Sequence, residues 1–174
     1  MRLFIAVRFD ENVVRALTAA QNALRARDFS GQYTKEQNLH MTLAFIGEYS
    51  DPEHVLHIMR DTMSGNTLSG TFPLKLSKRI GNFGDLLWAG AEHTEALMGF
   101  SGRLRDALDR GGVPHDKLPF IPHITLLQRA RSNETFEDIV ISQETMTVKG
   151  ITLLRSDISR DDRGIYREVG SAGI

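Results

Sequence analysis

The feature that most constrains the fold of this chain is a four-residue segment that occurs twice, each time inside an apolar run. The two copies are His40-Met41-Thr42-Leu43 and His123-Ile124-Thr125-Leu126. They lie 83 residues apart, which is close to half of the 174-residue chain. A repeat at this separation predicts two halves of similar architecture, each of which presents one copy.

Strand geometry predicts what each copy presents. Residues i and i+2 of a strand point to one face, and residues i+1 and i+3 point to the other. His40 therefore shares a face with Thr42, and we expect Met41, Leu43 and Phe45 to pack against helices on the opposite face. The second copy alternates in the same way. Because a buried histidine or threonine without a partner is costly, the two polar faces are predicted to line one solvated cleft.

Apolar periodicity and turn residues divide the rest of the chain into helices and strands. We predict helices over 11–25 and 52–63, a third from about 97 to a C-cap at 111–112, and a short helix over 135–142. Strands are predicted over 1–9, 39–46, 72–77, 86–89, 120–127, 148–158 and 165–169, with a hairpin turn over 81–85 and a polar loop over 159–164. This mixed order with hairpins indicates an α+β fold with antiparallel sheets, not a doubly wound parallel sheet.

Composition limits the classes of function. The length fits one domain, and the absence of cysteine excludes disulfides, thiolate metal sites and a cysteine nucleophile. A net charge of -1 argues against a long footprint on duplex DNA, although not against binding one phosphate. No apolar stretch approaches the ~20 residues that cross a bilayer, so we expect a cytoplasmic monomer with no membrane partner.

Two histidines and two threonines around one cleft suit chemistry at a phosphate ester. One neutral imidazole can accept a proton from attacking water while the other, protonated, donates one to the leaving alcohol. Threonine hydroxyls can donate to the phosphate oxygens. Zinc is the sharpest alternative for a histidine pair, but the sequence has no His-Glu-x-x-His segment, no cysteine and no evident third ligand. We therefore predict neither a metal nor a cofactor, and the spacing alone does not assign the acid and the base.

These motifs resemble the 2H phosphoesterase superfamily, in particular the RNA 2',3'-cyclic phosphodiesterases historically called 2'-5' RNA ligases. The resemblance rests on the His-x-Thr triplet of each segment, His40 to Thr42 and His123 to Thr125, in the contexts 38–48 and 122–126. It extends to 2–6, 87–88, 154–156 and 164–166. It implies a single domain, 1–174, of two intertwined lobes with pseudo-two-fold symmetry around a central cleft. It also implies metal-independent opening of a terminal 2',3'-cyclic phosphate, on RNA ends or nucleotides, to a 2'-phosphate, with reversible 2'-5' ligation as a related reaction.

The resemblance also assigns roles to individual residues. It makes His40 the proton donor to the leaving 3'-oxygen and His123 the base that activates water, with Thr42 and Thr125 holding the phosphate. Tyr166, in the family-like ending, is a predicted substrate contact.

One position departs from the family pattern. Related enzymes often carry arginine five places after the second histidine, where this chain has Gln128 followed by Arg129. If the strand is regular, Arg129 shares the face of His123 and Thr125 and is a second predicted substrate contact, whereas a bulge would change this.

The remaining candidates have structural interpretations. We expect Trp88 in the core, Arg105 as a solvated charge, and His115 as a loop residue that is only a weak candidate for contact with substrate. A competing function is a module that binds a nucleotide or RNA end without turnover. The paired histidines favour catalysis, because arginine or backbone amides would serve phosphate binding equally well.

Overall fold

A computed structural model describes residues 2–65, 70–157 and 165–173, with the side chain of Ile165 left out. The helices within these ranges are α1 (Glu11–Ala26), α2 (Pro52–Ser64) and α3 (Glu95–Arg110), with a 3-10 turn at Glu36–Asn38. The strands are β1 (Arg2–Val7), β2 (Ser30–Tyr33), β3 (Met41–Glu48), β4 (Phe72–Phe83), β5 (Leu86–Ala91), β6 (His123–Arg131), β7 (Thr145–Val148), β8 (Gly150–Asp157) and β9 (Ile165–Gly173).

The strands form two antiparallel sheets. The first has the order β3-β1-β8-β9 and the second has the order β2-β6-β5-β4-β7. The first sheet thus combines strands from both ends of the chain with β3, and the second combines β2 with the strands between α2 and β8. The predicted α+β class with antiparallel sheets is confirmed, and each sheet forms one lobe and carries one of the two triplets.

The three long helices form where the apolar spacing predicts them. α1 buries one stripe that includes Leu17 and Leu24, which are fully excluded from solvent. α2 begins after Asp51, whose side chain accepts a hydrogen bond from the His54 backbone N–H at 3.1 Å, and Thr94 caps α3 in the same way. Each cap satisfies a backbone donor that the first turn of the helix leaves open.

α1 ties the two lobes together. It follows β1 of the first sheet, yet Gln21, buried on α1, donates from Nε2 to the Leu126 carbonyl of β6 at 3.0 Å and to the Thr34 carbonyl at 2.8 Å. Asn12 at the start of the same helix donates to the Thr145 carbonyl of β7 at 2.9 Å. A helix that leaves one sheet therefore covers the other, which fixes the two triplets relative to one another.

The local structure differs from the prediction in two unpredicted strands and one absent helix. The strands β2 and β7 were not predicted, because each is only four residues long and shows no clear apolar alternation. The short helix over 135–142 does not form; this segment holds a turn at 137–138 and an isolated bridge between Arg79 and Val140. The predicted loop over 159–164 lies outside the described residues.

Candidate functional site

His40 and His123 are held in the same way by the backbone two residues before each of them. Nδ1 of His40 lies 2.7 Å from the Asn38 carbonyl oxygen, and Nδ1 of His123 lies 2.7 Å from the Ile121 carbonyl oxygen. A carbonyl oxygen only accepts hydrogen bonds, so each Nδ1 carries a hydrogen and donates it. Nε2 is then the nitrogen left for chemistry in both rings, an acceptor when the ring is neutral and a donor when it is protonated.

The fold brings the two triplets together. β3 and β6 belong to different sheets but approach within contact distance. The positive charge of His123 lowers the pKa of His40. Thr42 on β3 and Thr125 on β6 are half-buried. Within the described part of the chain, neither threonine hydroxyl has a hydrogen-bond partner. Both hydroxyls are therefore available to a ligand that lies between the two imidazoles.

Aromatic rings surround each imidazole. The ring of His40 lies 5.1 Å from that of Phe4 and 5.2 Å from that of Tyr166, which meets it edge-on at 88°. The ring of His123 lies 5.2 Å from that of Phe83 and 6.1 Å from that of Trp88. Tyr166 thus lies against His40, and its role as a substrate contact stays a prediction.

Trp88 does not lie in the core, contrary to expectation. It is the strand partner of Thr125, half-buried, and its indole lies over Gly81 of the neighbouring strand. A Cβ at Gly81 would lie 2.4 Å from that indole. The missing side chain at Gly81 therefore makes room for the ring that flanks His123.

The expectation that Phe45 packs on the face opposite His40 was also wrong. The register of β1 against β3 skips Leu43 and again Ile46, so β3 is bulged twice. Each extra residue shifts the alternation of side chains between the two faces. Phe45 consequently pairs with Phe4, stacks on its ring at 5.9 Å, and is 46% exposed.

A bulge also removes the argument that placed Arg129 in the cleft. The register of β5 against β6 passes from the pair Trp88–Thr125 to the pair Leu87–Leu127, so Leu126 is an extra residue. Beyond this bulge, Gln128 instead of Arg129 continues the face of Thr125, and Arg129 itself has φ of +55°. The regular strand on which this predicted contact depended is not present.

Burial and charge shift the pKa values at the site. Burial lowers the pKa of His40 below its ordinary value of 6.5, and the positive charges of Arg8 and His123 lower it further. The hydrogen bond from its Nδ1 to Asn38 opposes these effects, because it stabilises the imidazolium. Burial raises the pKa of Tyr166 above its ordinary value of 10.0, so this phenol keeps its proton near neutral pH.

Arg105 was expected to be a solvated charge, but its guanidinium hydrogen-bonds to two separate segments of the chain. We call this set of hydrogen bonds the Arg105 clamp. From α3 its Nε donates to the Leu43 carbonyl of β3 at 3.2 Å, and its Nη1 donates to the Leu118 carbonyl at 2.9 Å and to the Asp116 carbonyl at 3.2 Å. Its Nη2 lies 3.1 Å from Oδ2 of Asp116. Arg105 thus joins the strand that follows His40 to the loop that leads into His123.

Asp116 completes this clamp along the outer edge of β3. Its Oδ1 accepts a hydrogen bond from the Phe45 backbone N–H at 2.7 Å, and its own N–H donates to the Phe45 carbonyl at 2.8 Å. An edge strand that would otherwise present unpaired groups is covered in this way. No sequence signal identified this pairing, because 71 residues separate its two members.

His115 has a structural role. Its side chain is only 4% exposed, and its ring nitrogens lie 2.7 Å from the Asp116 carbonyl and 2.8 Å from Oδ1 of Asp109. These contacts anchor the loop between α3 and β6.

Over 2–65, 70–157 and 165–173, there is no group of three or more His, Asp or Glu residues that could hold a metal ion. No helix in these same ranges is both long and apolar enough to span a bilayer.

Comparisons with known proteins agree on one family. A family model described as the 2'-5' RNA ligase superfamily matches residues 10–159. A relative from Thermotoga maritima, named RNA 2',3'-cyclic phosphodiesterase, is 31% identical over 135 residues, which cover 72% of this chain and 68% of the relative. A relative of the same name from Methanothermobacter thermautotrophicus is 23% identical over 175 residues and 91% of each chain.

Solved structures share the fold over almost the whole chain. A crystal structure of a protein from Thermus thermophilus has a TM-score of 0.80 and 26% identity, covering 99% of this chain and 97% of its own. The apo crystal structure of E. coli LigT has a TM-score of 0.79 and 25% identity, covering 99% and 96%. The bilobal arrangement of the two sheets is therefore the one seen in these proteins.

Proposed function

The chain belongs to the 2'-5' RNA ligase superfamily, and from this premise we propose that it hydrolyses 2',3'-cyclic phosphate ends of RNA or nucleosides to 2'-phosphomonoesters. Relatives named RNA 2',3'-cyclic phosphodiesterase support this activity. The observation that carries the proposal is the matched anchoring of His40 and His123, each with Nδ1 bonded to a carbonyl two residues earlier. Such a pair offers one Nε2 as a base and one as an acid.

The proposed reaction is a single displacement at phosphorus. Nε2 of His123 accepts a proton from water as the water oxygen forms a bond to phosphorus. The bond from phosphorus to the 3'-oxygen breaks, and Nε2 of His40 donates its proton to that oxygen. Water is thereby added across the ester, and the two imidazoles end with their protonation states exchanged. A 5'-hydroxyl in place of water would give a 2'-5' linkage by the same steps.

The threonines support charge on the phosphate. As the displacement proceeds, negative charge grows on the non-bridging oxygens, and the hydroxyls of Thr42 and Thr125 can donate hydrogen bonds to them. Because this donation strengthens in the transition state, it contributes to kcat as well as to binding.

Replacing Thr42 or Thr125 with valine is expected to lower kcat/KM by about 10- to 100-fold. A hydrogen bond to a charged group contributes ~1.5–3 kcal/mol, and valine keeps the shape of threonine without its hydroxyl. Steady-state kinetics on a nucleoside 2',3'-cyclic phosphate measures the loss. Serine variants, which keep the hydroxyl, should retain most of the activity; if valine is tolerated as well as serine, the threonines do not hold the phosphate.

The pH dependence follows from the lowered pKa of His40. As the proton donor, His40 must be protonated, so activity should decline as pH rises through its pKa, which lies below 6.5. Arg8 is one cause of the lowering, so Arg8→Met should raise this pKa and move the alkaline limb of the kcat/KM profile to higher pH. Arg15→Met, an exposed change on α1, is the control. A limb that stays in place or moves to lower pH would argue against His40 as the acid.

Incubation with a nucleoside 2',3'-cyclic phosphate in the presence of EDTA tests the proposed function. We expect complete conversion to the 2'-phosphomonoester, identified by phosphorus NMR. A 3'-phosphomonoester would mean that the other ester bond is broken. Tight binding of the nucleotide without turnover would instead support the competing function, a module that only binds RNA ends.

A further inference from the structure

Arg8 is a cation that lies next to His40. It follows β1, and one step beyond the pair Val7–Met41 the register of β1 against β3 brings it opposite His40. Its positive charge lowers the pKa of His40. Its Nη2 donates to the Gln37 carbonyl oxygen at 2.6 Å, and within the described part of the chain no carboxylate forms an ion pair with it. Because a guanidinium has five N–H donors, the exposed side chain of Arg8 keeps donors for an anionic ligand.

A cavity of about 330 Å³ lies beside Arg8, separate from the two triplets. Thr152 and Ser171 contribute hydroxyls to its wall, and Lys149 contributes a second positive charge. In the part of the chain that the structure describes, neither hydroxyl has a hydrogen-bond partner. Small-molecule sites have volumes of ~300–1,000 Å³, so the cavity is large enough for a polar group that bonds to these hydroxyls.

The cavity lies on the same face of the first sheet as Thr42. Strand pairing places Ala6 between Thr42 and Thr152, and Thr152 is in turn opposite Ser171. Directly paired residues project from the same face of a sheet. Ala6 packs in a small apolar cluster apart from the main core, to which both of its chain neighbours belong. This row of residues therefore faces the cleft, and two strand spacings, or ~10 Å, separate Thr42 from Thr152.

The charges in the wall of the cavity are divided between its two ends. Two steps beyond the last pair of β1 with β8, Arg8 comes opposite the first residue of β8, and Lys149 directly precedes that residue. Asp10 is also at this end, as the N-cap of α1, where the helix dipole offsets part of its charge. Glu168 lies three residues, or ~10 Å, beyond Ser171 along β9, away from Arg8. An anion is therefore favoured at the end near Arg8.

We propose that Arg8 binds the phosphodiester group on the 5' side of the terminal nucleoside, and that the cavity beyond it receives the ribose of the preceding nucleotide. This inference rests on the proposed function and names an RNA strand, in place of a mononucleotide, as the preferred substrate. A guanidinium offers two parallel donors to a phosphate group. The hydroxyls of Thr152 and Ser171 can form hydrogen bonds with the sugar that follows.

The position of His40 sets the direction of the bound strand. His40 donates its proton to the leaving 3'-oxygen, so the terminal ribose lies on the His40 side of phosphorus. The 5'-oxygen of the same ribose carries the preceding phosphodiester. Arg8 lies opposite His40, and the Cβ atoms of directly opposed residues are about 5 Å apart. The long side chain of Arg8 therefore reaches a phosphate that is one ribose away from the reacting phosphorus.

The test compares kcat/KM for three substrates: adenosine 2',3'-cyclic phosphate with a free 5'-hydroxyl, the same compound with a 5'-phosphate, and a dinucleotide that ends in the same cyclic phosphate. In the wild type, the 5'-phosphate should raise kcat/KM by about 10- to 100-fold, the contribution of a hydrogen bond to a charged group. Arg8→Met should remove this gain, whereas Arg8→Lys should keep part of it. The changed pKa of His40 affects all three substrates alike, so it cancels in the ratio.

The dinucleotide distinguishes the phosphodiester of an RNA strand from a lone 5'-phosphate. In the wild type, kcat/KM for the dinucleotide should exceed that for the 5'-phosphorylated mononucleotide by about 5-fold, the contribution of one further hydrogen bond. Ser171→Trp, at an exposed position of β9, fills the cavity and should abolish this second gain but not the first. Val140→Trp, which adds the same side chain at another exposed residue, and Arg15→Met, an exposed change on α1, are the controls.

Two results would overturn the contact at Arg8: equal kcat/KM with and without the 5'-phosphate in the wild type, or an undiminished gain in Arg8→Met. A dinucleotide that reacts no better than the 5'-phosphorylated mononucleotide would overturn the role of the cavity. If the wild type turns over none of the three substrates, the proposed function fails. Calorimetric titration with the 5'-phosphorylated compound then tests Arg8 separately: Arg8→Met should bind it more weakly than the wild type, and equal Kd values would overturn the contact.

Discussion

Replacing His40 or His123 with alanine is expected to slow hydrolysis of a 2',3'-cyclic phosphate by about 10²- to 10⁴-fold, the range that general acid or base catalysis contributes. Each ring makes one hydrogen bond with the backbone, from Nδ1 to Asn38 or Ile121, so both variants should fold. Thermal unfolding and kcat are measured on the same preparations. Because the two rings act in one displacement, the double variant should be little slower than either single variant.

His57→Ala is the matched control for these two variants. His57 lies on α2, its side chain is 69% exposed, and its Nε2 pairs with Asp61 at 3.3 Å. An exposed pair of this kind contributes little to stability, so activity and unfolding temperature should both stay at the wild-type values. Wild-type turnover by His40→Ala or His123→Ala would remove the two-histidine mechanism.

Arg105→Met is expected to have the second largest effect, and it acts on stability and activity together. The change removes donors from the carbonyls of Leu43, Asp116 and Leu118 and leaves the Asp116 carboxylate without its cation. The side chain of Arg105 is 16% exposed and that of Asp116 is 33% exposed, so solvent replaces these bonds only in part. We expect a loss of about 2–3 kcal/mol in the free energy of unfolding.

Two measurements separate this clamp from an ordinary stabilising residue. Chemical denaturation gives the change in stability, with Arg15→Met, an exposed change on α1, expected to cost less than ~0.5 kcal/mol. Kinetics at a temperature where Arg105→Met is fully folded should show a lower kcat, because the loop released from Arg105 carries the Ile121 carbonyl that orients His123. Normal kcat in a destabilised variant would restrict Arg105 to folding.

The sequence predicted those parts of the structure that depend on short spacings. The helices α1, α2 and α3 form because apolar residues recur every three or four positions and capping residues precede α2 and α3. The two triplets identified the candidate site because His and Thr two places apart share a strand face. That reasoning needed no knowledge of which strands are neighbours.

The remaining features depend on partners that are distant in the chain. A bulge places one extra residue in one of two paired strands. The exposure of Phe45 therefore follows from the pairing of β3 with β1, and the loss of the expected position for Arg129 follows from the pairing of β6 with β5. Trp88 was expected in the core because its neighbours are apolar, whereas its place over Gly81 depends on the partner strand. Arg105 finds its acceptors only after α3 packs beside β3.

The assignment of His40 as the acid and His123 as the base is tested most directly with a substrate whose leaving group needs no proton donor. A nitrophenyl ester of a 3'-deoxynucleoside 2'-phosphate has no 3'-hydroxyl that could attack phosphorus, so water must attack and the nitrophenolate leaves in place of the 3'-oxygen. Nitrophenolate is a stable anion, so protonation of this leaving group contributes little to the rate. The rates of His40→Ala and His123→Ala are measured on this ester and on the cyclic phosphate. The predicted result is that His40→Ala recovers most of the wild-type rate on the ester, whereas His123→Ala remains slow on both substrates. Equal losses on the two substrates, or recovery by His123→Ala, would contradict the assignment of His40 as acid and His123 as base.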